Sequence, residues 1–373
     1  MKPNKNAALK KLLVIPPIPV YDMIGDKLNI FPAPVIRERL LVLEPFFDKI
    51  TVVSGSFSEN TGYSADGKFL IEKISYKKSG FPKTLFLKTF FVLKYLKTVS
   101  RHLECGTVML NFNPLLLGLL TNLLAKVRKI RNASFFIGFP AQWCVSTRKS
   151  ELLYHLNMKV SSVNIAVSPV LEKKLRELGG RKIIVIPNRV RRQENISLEG
   201  VPDTIFSAAR LSPEKRPEYL IKCFAKVAGK KPAARLFLAG DGETKPLEDY
   251  AEKLGVRDKI NFLGKIPKEK VLDYMKKSTL FVLTSVGEGF GMVYLEAMAC
   301  GIPIIGMDSG STPWVLGDAG VVVRVDDEKQ LASEIIRLLE DEKARRKLVE
   351  AGLKRIKDFP YETWGKDMYK ELI

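Results

Sequence analysis

Histidine and cysteine are scarce in this chain of 373 residues, with two of the former and four of the latter. His102 and His155 argue against a histidine-based metal centre and against a Ser-His-Asp triad. Cys105, Cys144, Cys223 and Cys300 are widely separated and fall in no metal-ligand spacing, a pattern that suits a reducing cytoplasm. Also missing is any apolar run near the roughly 18 residues that a membrane-spanning helix needs. The nearest stretch, Pro114–Ala125, is interrupted by Thr121 and Asn122 and reads as a buried helix. The basic N-terminus leads into an apolar run that is too short for a signal sequence, ends in prolines and fits a first strand. Internal repeats and low-complexity segments are absent too.

Acidic residues are what the first half lacks. Residues 1–200 carry 32 Lys and Arg against 14 Asp and Glu, a net +18, whereas residues 201–373 carry 29 against 27. A half so charged is suited to meet nucleic acid, an acidic lipid surface or a phosphate-bearing substrate. Of these, nucleic acid fits least, because the sequence has no base-stacking module, zinc finger or helix-turn-helix pattern.

What is present is an alternation of short apolar strands and amphipathic helices. In the second half, strands are predicted at Thr204–Ala209, Arg235–Ala239, Ile260–Leu263, Thr279–Thr284 and Pro303–Gly306. Helices are predicted between them at Pro217–Ala228, Lys245–Leu254, Lys268–Lys277 and Met292–Ala299. Strands without polar alternation, each followed by a helix, describe a parallel sheet covered on both faces, with its ligand at the carboxyl ends of the strands. The first half repeats this less regularly, with strands expected at Leu12–Ile15, Ile50–Val53, Thr107–Asn111, Ser134–Ile137, Asn164–Val167 and Ile183–Ile186. The expected class is α/β, with two Rossmann-like, doubly wound parallel-sheet domains facing each other across a cleft. The division is residues 1–190, 191–356 and a terminal segment 357–373, whose helix has Trp364 and Tyr369 as apolar anchors.

Three loops in the second half carry candidate chemistry. Gly287-Glu288-Gly289-Phe290-Gly291-Met292 leaves a buried strand and enters a helix. Its glycines let a ligand approach the backbone, and the helix start offers free N–H groups and a positive dipole end to a diphosphate. Glu288, in the loop, can accept from sugar hydroxyls, and Glu296, inside the helix, can accept from a ribose diol. Arg210-Leu211-Ser212-Pro213-Glu214-Lys215 places two cations where they can straddle a diphosphate, Arg210 as a fork and Lys215 as a point charge. Gly240-Asp241-Gly242 is a tight strand-to-helix turn. Taken singly, each segment also reads as an ordinary turn with exposed charges.

Together these segments resemble glycosyltransferase family 4, with its EX7E signature and GT-B fold. Glu288 and Glu296 have seven residues between them. The runs from Arg210 to Lys215, Ala239 to Glu243, Asn261 to Gly264 and Glu296 to Pro303 follow in that family's order. The resemblance is strong from about residue 160 to 325 and faint before it. It implies a retaining, metal-independent transfer from a UDP- or GDP-sugar, which is a co-substrate; no separate cofactor is implied. Arg210 and Lys215 would hold the diphosphate, Glu288 the sugar and Glu296 the ribose. Phe290, Gly291 and Met292 would meet sugar and phosphates through their backbone, with Gly240, Gly264 and Lys265 nearby, the last two towards the base. No metal is expected.

Three departures fall on the acceptor side. The family's Gly-Gly loop after the first strand is here Pro16-Pro17-Ile18 through Gly25, and its cleft histidine is missing from Phe135–Trp143. The loop Ser309-Gly310-Ser311-Thr312-Pro313-Trp314 has no glutamate where the family has one. They leave open a second reading, a catalytically impaired nucleotide-sugar-binding subunit or scaffold at a membrane.

The segment Phe81–Arg101 reads as a helix. Lys83, Lys94, Lys97 and Arg101 form a basic stripe beside an aromatic-aliphatic surface, as on a helix lying in an anionic membrane interface; an ordinary domain helix with a solvated lysine edge reads equally well. With the family resemblance, this points to a lipid-linked or glycan acceptor at the cytoplasmic membrane face and to a cytoplasmic or peripheral protein.

Overall fold

A computed structural model describes residues 11–16, 40–56, 63–66, 68–75, 85–112, 115–139, 147–191, 193 and 200–373. The chain divides into two compact units, Met1–Ile186 with Glu362–Ile373, and Pro187–Tyr361. Lys83, residues 17–39 with Gly25 among them, and 140–146, which include part of the stretch where the family has its histidine, lie outside the described residues.

The first unit is built on β1 (Lys11–Ile15), β2 (Lys49–Ser56), β3 (Tyr63–Asp66), β4 (Phe69–Ser75), β5 (Thr107–Asn111), β6 (Asn132–Phe136), β7 (Val163–Ala166) and β8 (Ile183–Val185). They pair in the order β3-β4-β2-β1-β5-β6-β7-β8, all parallel except β3, which runs antiparallel to β4. The β3–β4 ribbon was not foreseen: Tyr63–Asp66, the edge strand, is four residues long, and Glu72-Lys73 interrupts the apolar run of Phe69–Ser75, unlike the solid apolar runs of the centre. Besides the helical residues 40–43, its helices include α1 (Leu85–His102), α2 (Leu116–Val127), α3 (Thr147–Val160) and α4 (Pro169–Glu177). The last helix of the chain, α12 (Trp364–Leu372), also belongs to this unit: Trp364 meets Phe135 edge-on at 6.1 Å, and Tyr369 stacks on Phe46 at 5.2 Å.

Two expectations in this unit are corrected. On α1, the aromatic-aliphatic face is interior: Phe91, Tyr95 and Val99 join the core with Leu13, Ile15 and Met109, and Tyr95 Oη donates to the Val53 carbonyl at 2.7 Å. Lys94 and Lys97 remain exposed on that helix, whereas Arg101 is tied to the buried Glu72 carboxylate at 2.5 Å. The second concerns the stretch read as a buried helix. In α2 the buried residues are Gly118, Thr121, Asn122 and Ala125, and Leu116, Leu123 and Val127 face outward. Asn122 explains the inversion. Its side-chain nitrogen donates to Ser134 Oγ at 2.9 Å and to Asn157 Oδ1 at 3.0 Å, and its oxygen accepts from Asn132 at 2.9 Å. A buried amide satisfied this fully anchors the polar face inward.

The second unit contains β9 (Val201–Ala208), α5 (Pro217–Lys230), β10 (Arg235–Ala239), α6 (Lys245–Lys253), β11 (Ile260–Gly264), α7 (Lys268–Lys277) and β12 (Ser278–Leu283). It continues with α8 (Met292–Cys300), β13 (Ile304–Met307), α9 (Thr312–Leu316), β14 (Val321–Val323), α10 (Glu328–Glu340) and α11 (Glu342–Arg355). The six strands pair as β11-β10-β9-β12-β13-β14, all parallel. The strand order reverses between β9 and β12, so the loops that leave these two strands part and open a crevice at the carboxyl edge.

Both thiols that are buried among the described residues lie in this unit. Burial, with the Glu328 charge, pushes Cys223 up to about 11; burial pushes Cys300 up to about 12. Because only the thiolate reacts, at pH 8 fewer than about one in a thousand of either is reactive. Alkylation of the native protein at pH 8 is therefore expected to modify the exposed Cys105 and to spare Cys223 and Cys300 until denaturant is added. Peptide mapping by mass spectrometry reads the difference, and labelling of Cys223 or Cys300 at the rate of Cys105 would contradict this burial.

Candidate active site

The sequence-predicted residues of the second unit gather at one edge because its strands are parallel. Arg210 and Lys215 follow β9, Gly240 follows β10, Gly264 ends β11 with Lys265 after it, and Glu288 to Met292 follow β12. The crevice at the strand-order reversal is thus flanked by the Arg210–Lys215 loop and the Glu288 loop.

Lys215 and Glu288 bridge it. Lys215 Nζ donates to Glu288 Oε1, with only 16% and 12% of the two side chains exposed. The loops that carry them are locked together behind the pair. Val286 N–H donates to the Glu214 carbonyl at 3.0 Å, and the Thr284 hydroxyl reaches the carbonyls of Lys215 and Arg216 at 3.1 and 3.0 Å.

Arg210 stands further out, two-thirds exposed and paired with Glu214 at 3.1 Å. Burial pushes the Glu214 carboxyl up, but hydrogen bonds and the Arg210 and Lys215 charges outweigh it and hold the group below its ordinary value.

On the other side, Gly291 (φ 85°) caps α8, and Tyr294 N–H folds back on the Gly291 carbonyl at 3.0 Å. The helix start lies beside the ion pair, where its dipole and leading N–H groups favour an anion. The Phe290 side chain is buried, edge-on to Trp314 at 6.0 Å and to Phe359 at 5.7 Å, which leaves its backbone as the part that can face a ligand. Glu296, on α8, has its side chain 13% exposed and paired with Lys268 at 3.4 Å. Lys265 pairs with Asp241 at 3.3 Å, and Gly240 N–H donates to the Gly264 carbonyl at 2.8 Å. A Cβ on Gly240 would stand 1.7 Å from the Ala209 carbonyl oxygen, so only glycine fits that turn.

Sequence reasoning missed the brace behind Glu288. Gly287 N–H donates to Ser309 Oγ at 2.9 Å, Ser311 N–H to the Glu288 carbonyl at 2.8 Å, and Ser311 Oγ to the Gly289 carbonyl at 2.8 Å. This is the loop noted above for lacking a glutamate. At that position Trp314 packs into the Phe290–Phe359 cluster, and Arg355 holds the Trp314 carbonyl at 2.6 Å. The partners Glu214, Asp241 and Lys268 were also missed, since each is an ordinary charged residue until the fold opposes it to a candidate. In the first unit, His102 pairs with Glu72 at 2.7 Å and His155 with the Leu178 carbonyl at 2.6 Å, so both have local partners. Among the described residues, no group of three or more His, Cys, Asp or Glu side chains could hold a metal ion.

Two parallel-sheet α/β units with these sheet orders make up the GT-B fold of glycosyltransferases. A solved GT-B structure, HepE of Anabaena in complex with UDP and glucose, matches with a TM-score of 0.74 over 97% of this chain and 99% of that one, at 20% identity. Residues 188–355 match the family model described as Glycosyl transferases group 1. The chain is similar to the N-acetyl-alpha-D-glucosaminyl L-malate synthase of Bacillus anthracis, 37% identical over 153 residues, which are 40% of this chain and 38% of that enzyme. It is also 32% identical over 180 residues to the GDP-mannose-dependent monoacylated alpha-(1-6)-phosphatidylinositol monomannoside mannosyltransferase of Corynebacterium glutamicum, covering 44% of this chain and 46% of that protein. The matches thus span less than half the length of these two curated relatives.

The brace makes a prediction of its own. Gly310 has φ +58°, and a Cβ there would lie 2.5 Å from the Glu288 carbonyl oxygen and 2.8 Å from its nitrogen. Gly310→Ala is expected to cost roughly 1–3 kcal/mol of stability and to displace the Glu288 loop. Denaturant unfolding checks the first, and an unchanged midpoint would contradict the close approach.

Proposed function

We propose that this chain is a retaining, metal-independent glycosyltransferase that moves a sugar from a UDP- or GDP-sugar to a lipid-linked or glycan acceptor at the cytoplasmic face of a membrane. The observation that carries the donor half of this reading is the mostly buried Lys215–Glu288 pair at the strand-order reversal, beside the start of α8. The match of residues 188–355 to a glycosyltransferase family model supports it. The solved neighbour holding UDP and the relative named for GDP-mannose support a nucleotide-sugar donor and leave the base open.

In this reading the donor diphosphate displaces Glu288 from Lys215 and takes the lysine for itself, with Arg210 swinging from Glu214 to the outer phosphate. The N–H groups of Gly291 and Met292 meet the phosphates from the helix side. Glu288, released, accepts from the sugar hydroxyls, Glu296 accepts from the ribose diol, and Gly240, Gly264 and Lys265 border the base. As the anomeric C–O bond breaks, negative charge builds on the diphosphate, where Lys215 and Arg210 stabilise it without a metal. The acceptor oxygen bonds to the anomeric carbon on the face the diphosphate leaves, and its proton passes to the departing phosphate oxygen. A second reading, a nucleotide-sugar-binding subunit without turnover, rests on the missing cleft histidine and Gly-Gly loop, to which Trp314 adds, standing where the family resemblance would put a glutamate.

Thermal unfolding with UDP, GDP and their sugar conjugates tests the donor site. A ligand at 100 times its Kd adds about 2.7 kcal/mol, a rise of roughly 5–10 °C for a unit of this size. Lys215→Ala is expected to abolish that rise. Glu288→Gln is expected to bind the nucleoside diphosphate about five- to tenfold more tightly, because it frees Lys215 from its internal anion. Weaker binding by that variant would refute the displacement. Glu288→Ala should lower transfer by at least about a thousandfold with the fold intact, and wild-type turnover would end its assignment. Turnover of donor by the purified wild type separates the enzyme from the binding subunit, and NMR of the product's anomeric configuration tests retention.

A further inference from the structure

Eight large hydrophobic side chains are exposed among the described residues, and five of them lie on three helices of the first unit. Leu93 is on α1, Leu116, Leu123 and Val127 are on α2, and Leu152 is on α3. The helices are neighbours: α2 packs between α1 and α3, and Arg128 donates to Ser100 Oγ at 2.9 Å, which joins the C-terminal ends of α1 and α2. At about 100° per residue, Leu116, Leu123 and Val127 fall within roughly 40° of one another. They form a ridge opposite the buried Gly118, Thr121, Asn122 and Ala125. Their exposures of 55%, 41% and 78% are far above what a helix in a covered layer shows.

Within α1 and α2 the charge has one sign. Neither α1 nor α2 contains an acidic residue, and the single one in α3, Glu151, faces Lys174 at 3.5 Å. Lys94 and Lys97 are exposed on α1, and Lys126, Arg128 and Lys129 are exposed at the end of α2, directly around Val127. Arg101 is neutralised by Glu72, so the cationic rim is not the stripe read from α1 alone; it runs from α1 across to the end of α2. Among the described residues no helix is long and apolar enough to cross a membrane. An apolar ridge rimmed by cations on two helices that carry no acid suits a helix that lies in an interface, with its leucines among acyl chains and its lysines at phosphate level. A protein partner of ordinary mixed charge would leave the cations unpaired.

We infer that the outward face of α2, with Leu116, Leu123 and Val127 as its inserting ridge and Lys126, Arg128, Lys129, Lys94 and Lys97 as its rim, docks the first unit on an anionic lipid bilayer. This extends the membrane part of the proposed function, but its test requires no sugar transfer, so either can fail while the other stands.

The experiment is co-sedimentation of the full chain with vesicles of phosphatidylcholine alone or of phosphatidylcholine rich in phosphatidylglycerol. Binding is expected to the anionic vesicles and to be weakened by salt. The double variant Leu123→Gln with Val127→Asp should lower the partition coefficient at least about tenfold. Lys126→Gln with Lys129→Gln should lower it by a similar factor and flatten the salt dependence. Because all four side chains are exposed, thermal unfolding should match wild type, and so should the shift induced by nucleotide in the second unit. No binding to anionic vesicles, equal binding to neutral ones, or unchanged binding by the Leu123 and Val127 variant would overturn the inference. So would a concentration-dependent dimer that this variant abolishes, since a second copy would then cover the ridge.

Discussion

The pairing order of the second sheet is the constraint on which the candidate site depends. With six parallel strands, every connection that follows a strand emerges at the same edge, and β9 and β12 lie side by side with their connections running in opposite directions. The gap this leaves is the one place where backbone N–H groups, a helix start and side chains from distant segments can converge without being filled by the core. Lys215 and Glu288 are 73 residues apart in the chain and meet there. Two mostly buried opposite charges each hold the other in a defined position; neither is stable there alone. The site is therefore arranged in advance around an ion pair that an anionic ligand with hydroxyl groups can replace on both sides.

The rest of the second unit supports that arrangement at one remove. Ser309, Gly310 and Ser311 hold the backbone on both sides of Glu288 through three hydrogen bonds and one close approach. Trp314 and Phe359 hold the Phe290 ring, and Arg355 ties that cluster to the helix behind it through the Trp314 and Val315 carbonyls. Thr284 and Val286 fasten the Glu288 loop to the Lys215 loop across the crevice. No side chain in these supports would be singled out by its chemistry alone. They matter because carboxylate and ammonium are useful only when their backbones cannot drift apart.

The first unit applies a different physical rule. Its helices are set by buried polar groups as much as by apolar ones: the Asn122–Asn132–Asn157 network, with Ser134 and Ser161, draws the polar side of α2 into the interior. Leu117 and Leu124 still pack against the core, but Leu116, Leu123 and Val127 face out, an apolar ridge suited to a less polar neighbour. The strong positive charge of residues 1–200 gains a location from this.

Much of the second unit was legible from sequence. Apolar strands such as Arg235–Ala239 and the helix Lys268–Lys277 stand alone in their windows, and the Gly287–Met292 run marks a strand-to-helix turn whatever surrounds it. The identity of Lys215 and Glu288 as candidates came from their residue types and from the spacing of Glu288 to Glu296. Their pairing did not, because it depends on which strands are neighbours. Nor did the ribbon β3–β4, whose short and charge-interrupted strands are held by the strand beside them. The α2 helix shows the boundary most clearly. Its period was readable, since Gly118, Thr121, Asn122 and Ala125 recur at helical spacing, but a period has no inside or outside. The sequence by itself determined that one face is small and polar and the other leucine-rich. Only tertiary structure decided that the polar face is buried, because the partners that satisfy Asn122 come from Asn132, Ser134 and Asn157, on a strand and a helix further along the chain.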